Sequence, residues 1–272
     1  MPTNELTESE IVQFNQDGYL IVKSLFDGEE MEILRRVAGS DQSLEKRASG
    51  HSDGEGGVSK LSFWHKMGED LYGQLARCHR VVDRMEQLLG GEVCFYHSKM
   101  VMKEPFTGGA WAWHQDYGYW YDAFLFPDLA SCFIAVNHNT RENGCMQVLK
   151  GSHRMGRLNH VKLPGEGGAL GQTGADPERL AEASKRLELV YCLLEPGDAL
   201  FFHSNTLHRS DQNKSPHPRW SMICCYNAAN NSSYKDHFGR EPGHPRYEPL
   251  IKVSDSAIKK AGKELFASSP ES

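Results

Sequence analysis

Two histidines and one carboxylate carry the most chemical information in this chain. His114 and Asp116 lie one residue apart in WAWHQDYGYWY, and His208 lies far along in FFHSNTLHRSDQN. In a strand, residues i and i+2 project from the same face. A strand ending in His-Gln-Asp therefore offers an imidazole and a carboxylate side by side, and one distant histidine completes a set of three. Such a set leaves adjacent coordination positions open, which suits iron(II) and oxygen chemistry. The spacing is weak alone, because His51-Ser52-Asp53 repeats it in the glycine-rich run HSDGEGG. No apolar strand precedes that copy, which reads as a solvated loop. Taken alone, His114 and Asp116 are equally well read as polar residues satisfied at a strand end.

The second half of the pattern follows His208. Ser210 is two residues on and Arg219 eleven residues on. A guanidinium near a metal suits a carboxylate, because its planar fork binds both oxygens and stays charged when buried. Viewed singly, Arg219 could equally serve a structural ion pair, and Ser210 could be a turn serine. His203, five residues before His208, competes for the third ligand place, but only His208 has the serine and the arginine at those offsets. His97, His138, His153 and His160 read as satisfied polar residues, and His217 as a solvent-facing residue of a proline-rich turn. A zinc hydrolase could use the same three ligands, but Arg219 would then lack a purpose.

This set resembles the phytanoyl-CoA dioxygenase-like 2-oxoglutarate oxygenases, which include ectoine hydroxylases. The opening FNQDGYLIVKSLF is similar to that family's amino-terminal pattern. RENGCMQVLKGSH and EPGDALFFHSNTLHRSDQN are similar to two further segments, so the likeness spans roughly residues 10–230. One departure is Lys150, where the family often has proline; it lies outside the ligand set. The resemblance implies a double-stranded β-helix of jelly-roll type. It implies iron(II) on His114, Asp116 and His208, with the far carboxylate of 2-oxoglutarate on Arg219 and Ser210. It also implies that Lys103, in MKEP, helps bind 2-oxoglutarate or an anionic substrate, although a lone lysine more often faces solvent. Trp111, three residues before His114, is read either as a wall of the cofactor pocket or as core packing. The reaction implied consumes O2 and 2-oxoglutarate, releases succinate and CO2, and oxidises a small molecule. Related halogenases lack the carboxylate ligand, so Asp116 points to hydroxylation. The stretch from Tyr119 to Asn230 looks closest to small-metabolite members, including those acting on 2-aminoethylphosphonate and its trimethyl form. Acyl-CoA and ectoine-type hydroxylases are the alternatives, as is a binding module that no longer turns over. A retired site has no need to keep all four of His114, Asp116, His208 and Arg219.

The elements that must position these residues are legible in outline. Thr7 and Glu10 form a capping box before Glu8–Asn15, and Gly18 ends that helix. Tyr19–Val22 reads as a strand, Gly28–Arg47 as a helix, Ser49–Ser59 as a loop, and Leu71–Leu89 as a helix stopped by Gly90-Gly91. Strands are expected near Val93–Lys103, Ala112–Tyr117, Ser131–Asn137, Cys145–Leu149, Leu187–Leu193, Ala199–Phe202 and Trp220–Asn227. The glycine-rich Gly156–Ala175 and a short helix at Pro177–Arg186 form an insertion of the kind that often acts as a lid. A tail with Pro242, Pro245 and Pro249 precedes a helix near Asp255–Phe266. The pattern fits a mainly β fold with flanking helices, a cupin-like jelly roll. We read one oxygenase domain, with a helical part over 1–91, a jelly-roll core over 92–230 and a tail over 231–272.

Composition sets the outer limits. The chain has 272 residues, 39% of them hydrophobic, and a formal net charge of -6. No broad basic field is available to collect phosphates, so neither nucleic acid nor an anionic membrane is expected as a partner. No apolar run approaches the roughly 20 residues that span a bilayer. The polar, acidic start MPTNELTESEIVQF is neither a secretory signal nor a transit peptide. Seven cysteines without a C-x-x-C pair suit reduced thiols and a cytoplasmic location. The oligomeric state is not legible.

Overall fold

Local chemistry decides where the first elements begin and end. The structure, a computed structural model, describes residues 4–163, 172–235 and 250–267. Helix α1 (Glu8–Asp17) starts on the expected capping box, with the Thr7 hydroxyl accepting from the Glu10 N–H and the Glu10 carboxylate accepting in return. Gly18 ends it at φ 80°, in the left-handed region that a side chain would disfavour, and strand β1 (Tyr19–Val22) follows. The helix expected over 28–47 is two helices, α2 (Gly28–Ser40) and α3 (Gln42–Arg47). Asp41 causes the break, because its carboxylate accepts the N–H groups of Ser43 and Leu44 and starts a new helix. The helical run over 71–89 likewise divides into α4 (Leu71–Arg77) and α5 (His79–Leu89). Cys78, between them, takes an extended backbone and bridges to Val253.

Residues 49–59, expected as a loop, form most of a hairpin of β2 (Ser49–Ser52) and β3 (Val58–Trp64). Asp53 organises its turn. Its carboxylate accepts from the N–H groups of Glu55, Gly57 and Ala110 and from the Gln212 amide. The second H-x-D copy is thus a strand end and a turn anchor, not a solvated loop.

The remaining strands are β4 (Val93–Lys103), β5 (Trp111–His114), β6 (Leu129–Ala135), β7 (Met146–Leu149), β8 (His160–Lys162), β9 (Thr173–Ala175), β10 (Leu189–Tyr191), β11 (Ala199–His203), β12 (His208–Ser210) and β13 (Arg219–Ala228). Helices α6 (Asp116–Trp120), α7 (Pro177–Arg186) and α8 (Ala257–Ala267) complete the set. The short strands β8, β9 and β12 escaped sequence reading because three residues carry no measurable periodicity. Of the glycine-rich insertion, 164–171 lie outside the described residues, as do the tail prolines Pro242, Pro245 and Pro249.

Two antiparallel sheets face each other, as the jelly-roll expectation requires. The larger has the order β1-β11-β6-β13-β4-β3-β2 and the smaller β10-β7-β12-β5, with β8-β9 as a separate hairpin. Strands β1, β2 and β3 come from the first 91 residues, so the amino-terminal part is built into the sheet and is not only helical. Alternation assigns the two faces of the large sheet. Along β13, Met222, Cys224 and Tyr226 join Leu34, Leu75, Val81, Val82 and Met85 in the core under the helices. Ile223 and Cys225 point the other way, into a second core with Phe133, Val101 and Met146 between the sheets. Burying one such aliphatic side chain contributes about 1.5–3 kcal/mol, so the helical layer holds the large sheet rigid from behind. The functional residues line the opposite, inter-sheet face.

Candidate metal centre

Pairing of β5 with β12 builds the centre. His114 and His208 are cross-strand partners, and their ring centroids lie 4.0 Å apart. Cross-strand partners are the closest neighbours an antiparallel pair offers, so two residues 94 positions apart present their rings to one point. Asp116 does not stand on the strand, as the expected span Ala112–Tyr117 had it. The strand stops at His114, and Asp116 opens α6. The residue between them explains the turn. The Gln115 amide, fully buried, donates to the carbonyls of Gly156 and Asn205 and accepts the Leu158 N–H. Those bonds bend the chain so that the Asp116 carboxylate swings beside the imidazoles. One ligand atom from each of His114, Asp116 and His208 lies within 4.8 Å of the others, and all three residues are buried.

The donor set fits a divalent metal. His114 Nδ1 lies 2.7 Å from the Ala112 carbonyl and His208 Nδ1 lies 2.9 Å from the Thr206 carbonyl. A carbonyl only accepts, so each Nδ1 carries the proton and each Nε2 keeps its lone pair for a ligand. His208 Nε2 is 3.9 Å from Asp116 Oδ1. The other carboxylate oxygen, Oδ2, accepts from the Ser131 hydroxyl at 2.9 Å. Burial pushes the His114 imidazole well below the usual range, with the His208 ring adding to it, and burial also lowers His208. Both rings stay neutral, which is the ligating form. Burial alone would raise the Asp116 carboxyl, but Lys99, His208, His114 and Ser131 hold it below the usual carboxylate range.

The centre opens into a cavity of about 640 Å³ between the sheets. Arg219, the first residue of β13, reaches its wall although it is only 2% exposed. Its guanidinium donates to the Ser221 hydroxyl and the Gly144 carbonyl, lies 5.7 Å over the Phe133 ring, and has no bonded partner at Nε. Among the described residues no carboxylate pairs with it, and burial lowers its pKa to about 10. A buried arginine without an anion is costly; a bound carboxylate removes that cost. Ser210 lies on the same face of β12 as His208 and also lines the cavity.

Lys103 stands opposite Arg219 in register and is fully buried. Its ammonium donates to the Ser210 hydroxyl at 2.7 Å and to the Asp211 carbonyl at 2.5 Å, and it does not line the cavity. Burial and then the Arg219 charge push its pKa well down. Trp111 does line the cavity, packed between His51 and His114 at centroid distances of 5.3 and 6.3 Å. His203 faces away from the cavity. Its Nδ1 accepts the Asn205 N–H and its ring lies 5.5 Å from His153.

Gln172 and Arg209, not singled out in the sequence, line the wall together with Tyr119 and with His51, which the sequence placed in a solvated loop. The base of the insertion closes one side, since the Tyr119 hydroxyl donates to the Thr173 carbonyl and the Gln172 amide binds both Ala110 and Ala112. Ser131 and Gln115 act on Asp116 from behind. Only the sheet register could have found them.

The fold and the site together define an iron- and 2-oxoglutarate-dependent dioxygenase. The family model for phytanoyl-CoA dioxygenase matches residues 14–221, and this chain belongs to that family. L-proline trans-4-hydroxylase of Streptomyces griseoviridis is 28% identical over 90% of this chain and 92% of its own length. Ectoine dioxygenase of Sphingopyxis alaskensis is 28% identical over 85% of this chain and 79% of its own. Among solved structures, EctD from S. alaskensis with bound iron is 25% identical and superposes with a TM-score of 0.73 over 93% of this chain and 90% of its own.

Proposed function

We propose that this chain hydroxylates a small amino-acid-like metabolite, with iron(II) on His114, Asp116 and His208 and the remote carboxylate of 2-oxoglutarate on Arg219 and Ser210. The observation that carries this reading is the coincidence, in one cavity, of three convergent buried ligands and a buried arginine that has no anion of its own among the described residues. Bound iron supplies the activation of O2 that the protein's side chains cannot. The chain's residues do the rest. The Ala112 and Thr206 carbonyls fix the tautomers of the two histidines. Ser131 leaves one Asp116 oxygen for the metal. Arg219 and Ser210 orient the co-substrate, and Lys103 positions Ser210. Trp111 and Tyr119 keep water from that wall.

The relatives reported above act on L-proline and ectoine, which favours the ectoine-type alternative over an aminophosphonate. A cavity of about 640 Å³ suits a compact metabolite together with the co-substrate. A cytoplasmic location is part of the same reading; seven free, buried cysteines support it. Anaerobic addition of iron(II) and 2-oxoglutarate tests the class. A weak visible absorption band is expected, lost in Asp116→Ala. Succinate release is then screened across ectoine, L-proline, aminophosphonates and acyl-CoAs. A missing band in the wild type would overturn the reading, and turnover confined to acyl-CoAs would overturn the substrate class.

A further inference from the structure

One charged group in the cavity has no ligand assigned to it so far. Lys99 lies on β4, and β-strand alternation sets it on the inter-sheet face with His97, Val101 and Lys103. In register it pairs with Phe63 on β3 and Ile223 on β13, both of which also line the cavity. Phe133, next along that rung on β6, lines it too. A cation is thus set among apolar side chains on the cavity wall. Among the described residues its ammonium makes no hydrogen bond or ion pair. Its charge is felt by Asp116, His114, His208 and His51, so it stands close to the metal centre.

The balance of charge in the cavity gives this cation a direction. Among the described residues of the lining, Lys99, Arg209 and Arg219 are the cations and Asp116 is the carboxylate. Arg209 is already engaged, with Gln147 and at 3.6 Å from Asp211. Arg219 is assigned above to 2-oxoglutarate. Asp116 is assigned to the metal. Among the described residues of the lining, Lys99 is therefore the cation left without an anion, and no carboxylate is left for an ammonium. An unpaired lysine beside apolar groups is a poor packing choice, and a strong one for gripping an anion in a partly dry cavity.

We propose that Lys99 is a specificity-determining residue that binds an anionic group, a carboxylate or phosphonate, of the primary substrate. This inference rests on the oxygenase reading above and names the substrate class within it. The substrate is then a small anion or zwitterion whose charged end faces β4, and any ammonium it carries meets aromatic faces such as Trp111, Tyr119 and Trp120 in place of a carboxylate. The carboxylate held by Lys99 could also be that of 2-oxoglutarate, and the two sources are separable by experiment.

The test uses the full chain as wild type, Lys99→Met and Lys99→Arg, each loaded anaerobically with iron(II). First, 2-oxoglutarate is titrated by the visible band. Calorimetry then follows the binding of L-proline, ectoine and 2-aminoethylphosphonate to the loaded protein, with L-prolinamide as an uncharged-end control. Expected are a 2-oxoglutarate affinity within about twofold in all three proteins, and at least one anion bound by the wild type. L-prolinamide should bind no anion-sized site, and Lys99→Met should weaken the bound anion by about tenfold or more, with Lys99→Arg recovering part. Equal anion affinity in wild type and Lys99→Met overturns the proposal. So does a wild type that binds none of the three anions, or a Lys99→Met variant that loses 2-oxoglutarate affinity while keeping the anion. An intact band in the wild type shows that such a failure belongs to Lys99 and not to the oxygenase reading.

Discussion

His208 and His203 make the sharpest contrast among single residues. His203 ends β11 and His208 opens β12 five residues later, yet only His208 turns its Nε2 toward Asp116. His208→Ala should abolish iron binding and 2-oxoglutarate consumption, whereas His203→Ala should keep the absorption band; a dead His203→Ala beside an active His208→Ala would reverse the ligand choice. Arg219→Ala should raise the apparent KM for 2-oxoglutarate by about ten- to a hundredfold, since charge-assisted hydrogen bonds are each worth roughly 1.5–3 kcal/mol. Its effect on iron affinity, measured without 2-oxoglutarate, should be small. Ser131→Ala acts at one remove. Without the hydroxyl the Asp116 carboxylate is freer to rotate, and iron affinity should fall by about ten- to a hundredfold, read by metal titration.

At the scale of elements, the centre depends on one strand-to-helix turn. Gln115 holds three backbone groups from two other segments while His114 and Asp116 flank it. Gln115→Leu leaves the Gly156 and Asn205 carbonyls and the Leu158 N–H without partners. Each buried unpaired group costs about 1–3 kcal/mol, so chemical denaturation should show a stability loss of at least about 3 kcal/mol. Iron affinity should drop with it, although Gln115 offers the metal nothing. A loss of stability with unchanged iron affinity would mean that α6 holds Asp116 without help from this turn. A second element-level device is Gly144, at φ 76°, where a Cβ would lie 2.1 Å from the Asp211 carbonyl oxygen. That closeness lets the β7 approach run beside β12, and the Gly144 carbonyl is the acceptor for Arg219.

For the whole molecule, burial of histidines ties stability to pH. The pKa values of His160 and His203 are lowered to about 4, chiefly by burial. Their folded values lie below the unfolded one of about 6.5, so the unfolded chain binds more protons in between. Stability is therefore fully present above about pH 6.5 and is lost as pH falls toward 4. The apoprotein should show a falling Tm across that window and little change from pH 7 to 8. Iron(II) at a hundredfold excess over its Kd should add about 2.7 kcal/mol at neutral pH. That gain should be absent in His114→Ala and should shrink on acidification, because protons compete for the ligands.

Much of this protein was legible in the order of its residues. Long patterned segments such as β4 and β13, the Thr7 cap and the Gly18 stop follow from local periodicity and backbone chemistry, which need no partner to be read. The ligand candidates were legible too, because His208 with Ser210 and Arg219 forms a spacing that one polar strand end does not explain. Where local signals compete, the reading failed: Asp41 and Cys78 interrupt helices whose apolar pattern runs on, and Asp53 turns a glycine-rich stretch into a hairpin. Only the tertiary structure decided how Asp116 reaches the imidazoles, through a buried glutamine and a turn in place of a strand. Only it showed that Lys103 serves Ser210, while Lys99, two turns of the pleat away, faces the cavity. The physical reason is the same in each case. A side chain's role here depends on which strand lies opposite, and register between strands is set by the packing of the two sheets, not by residues near in sequence.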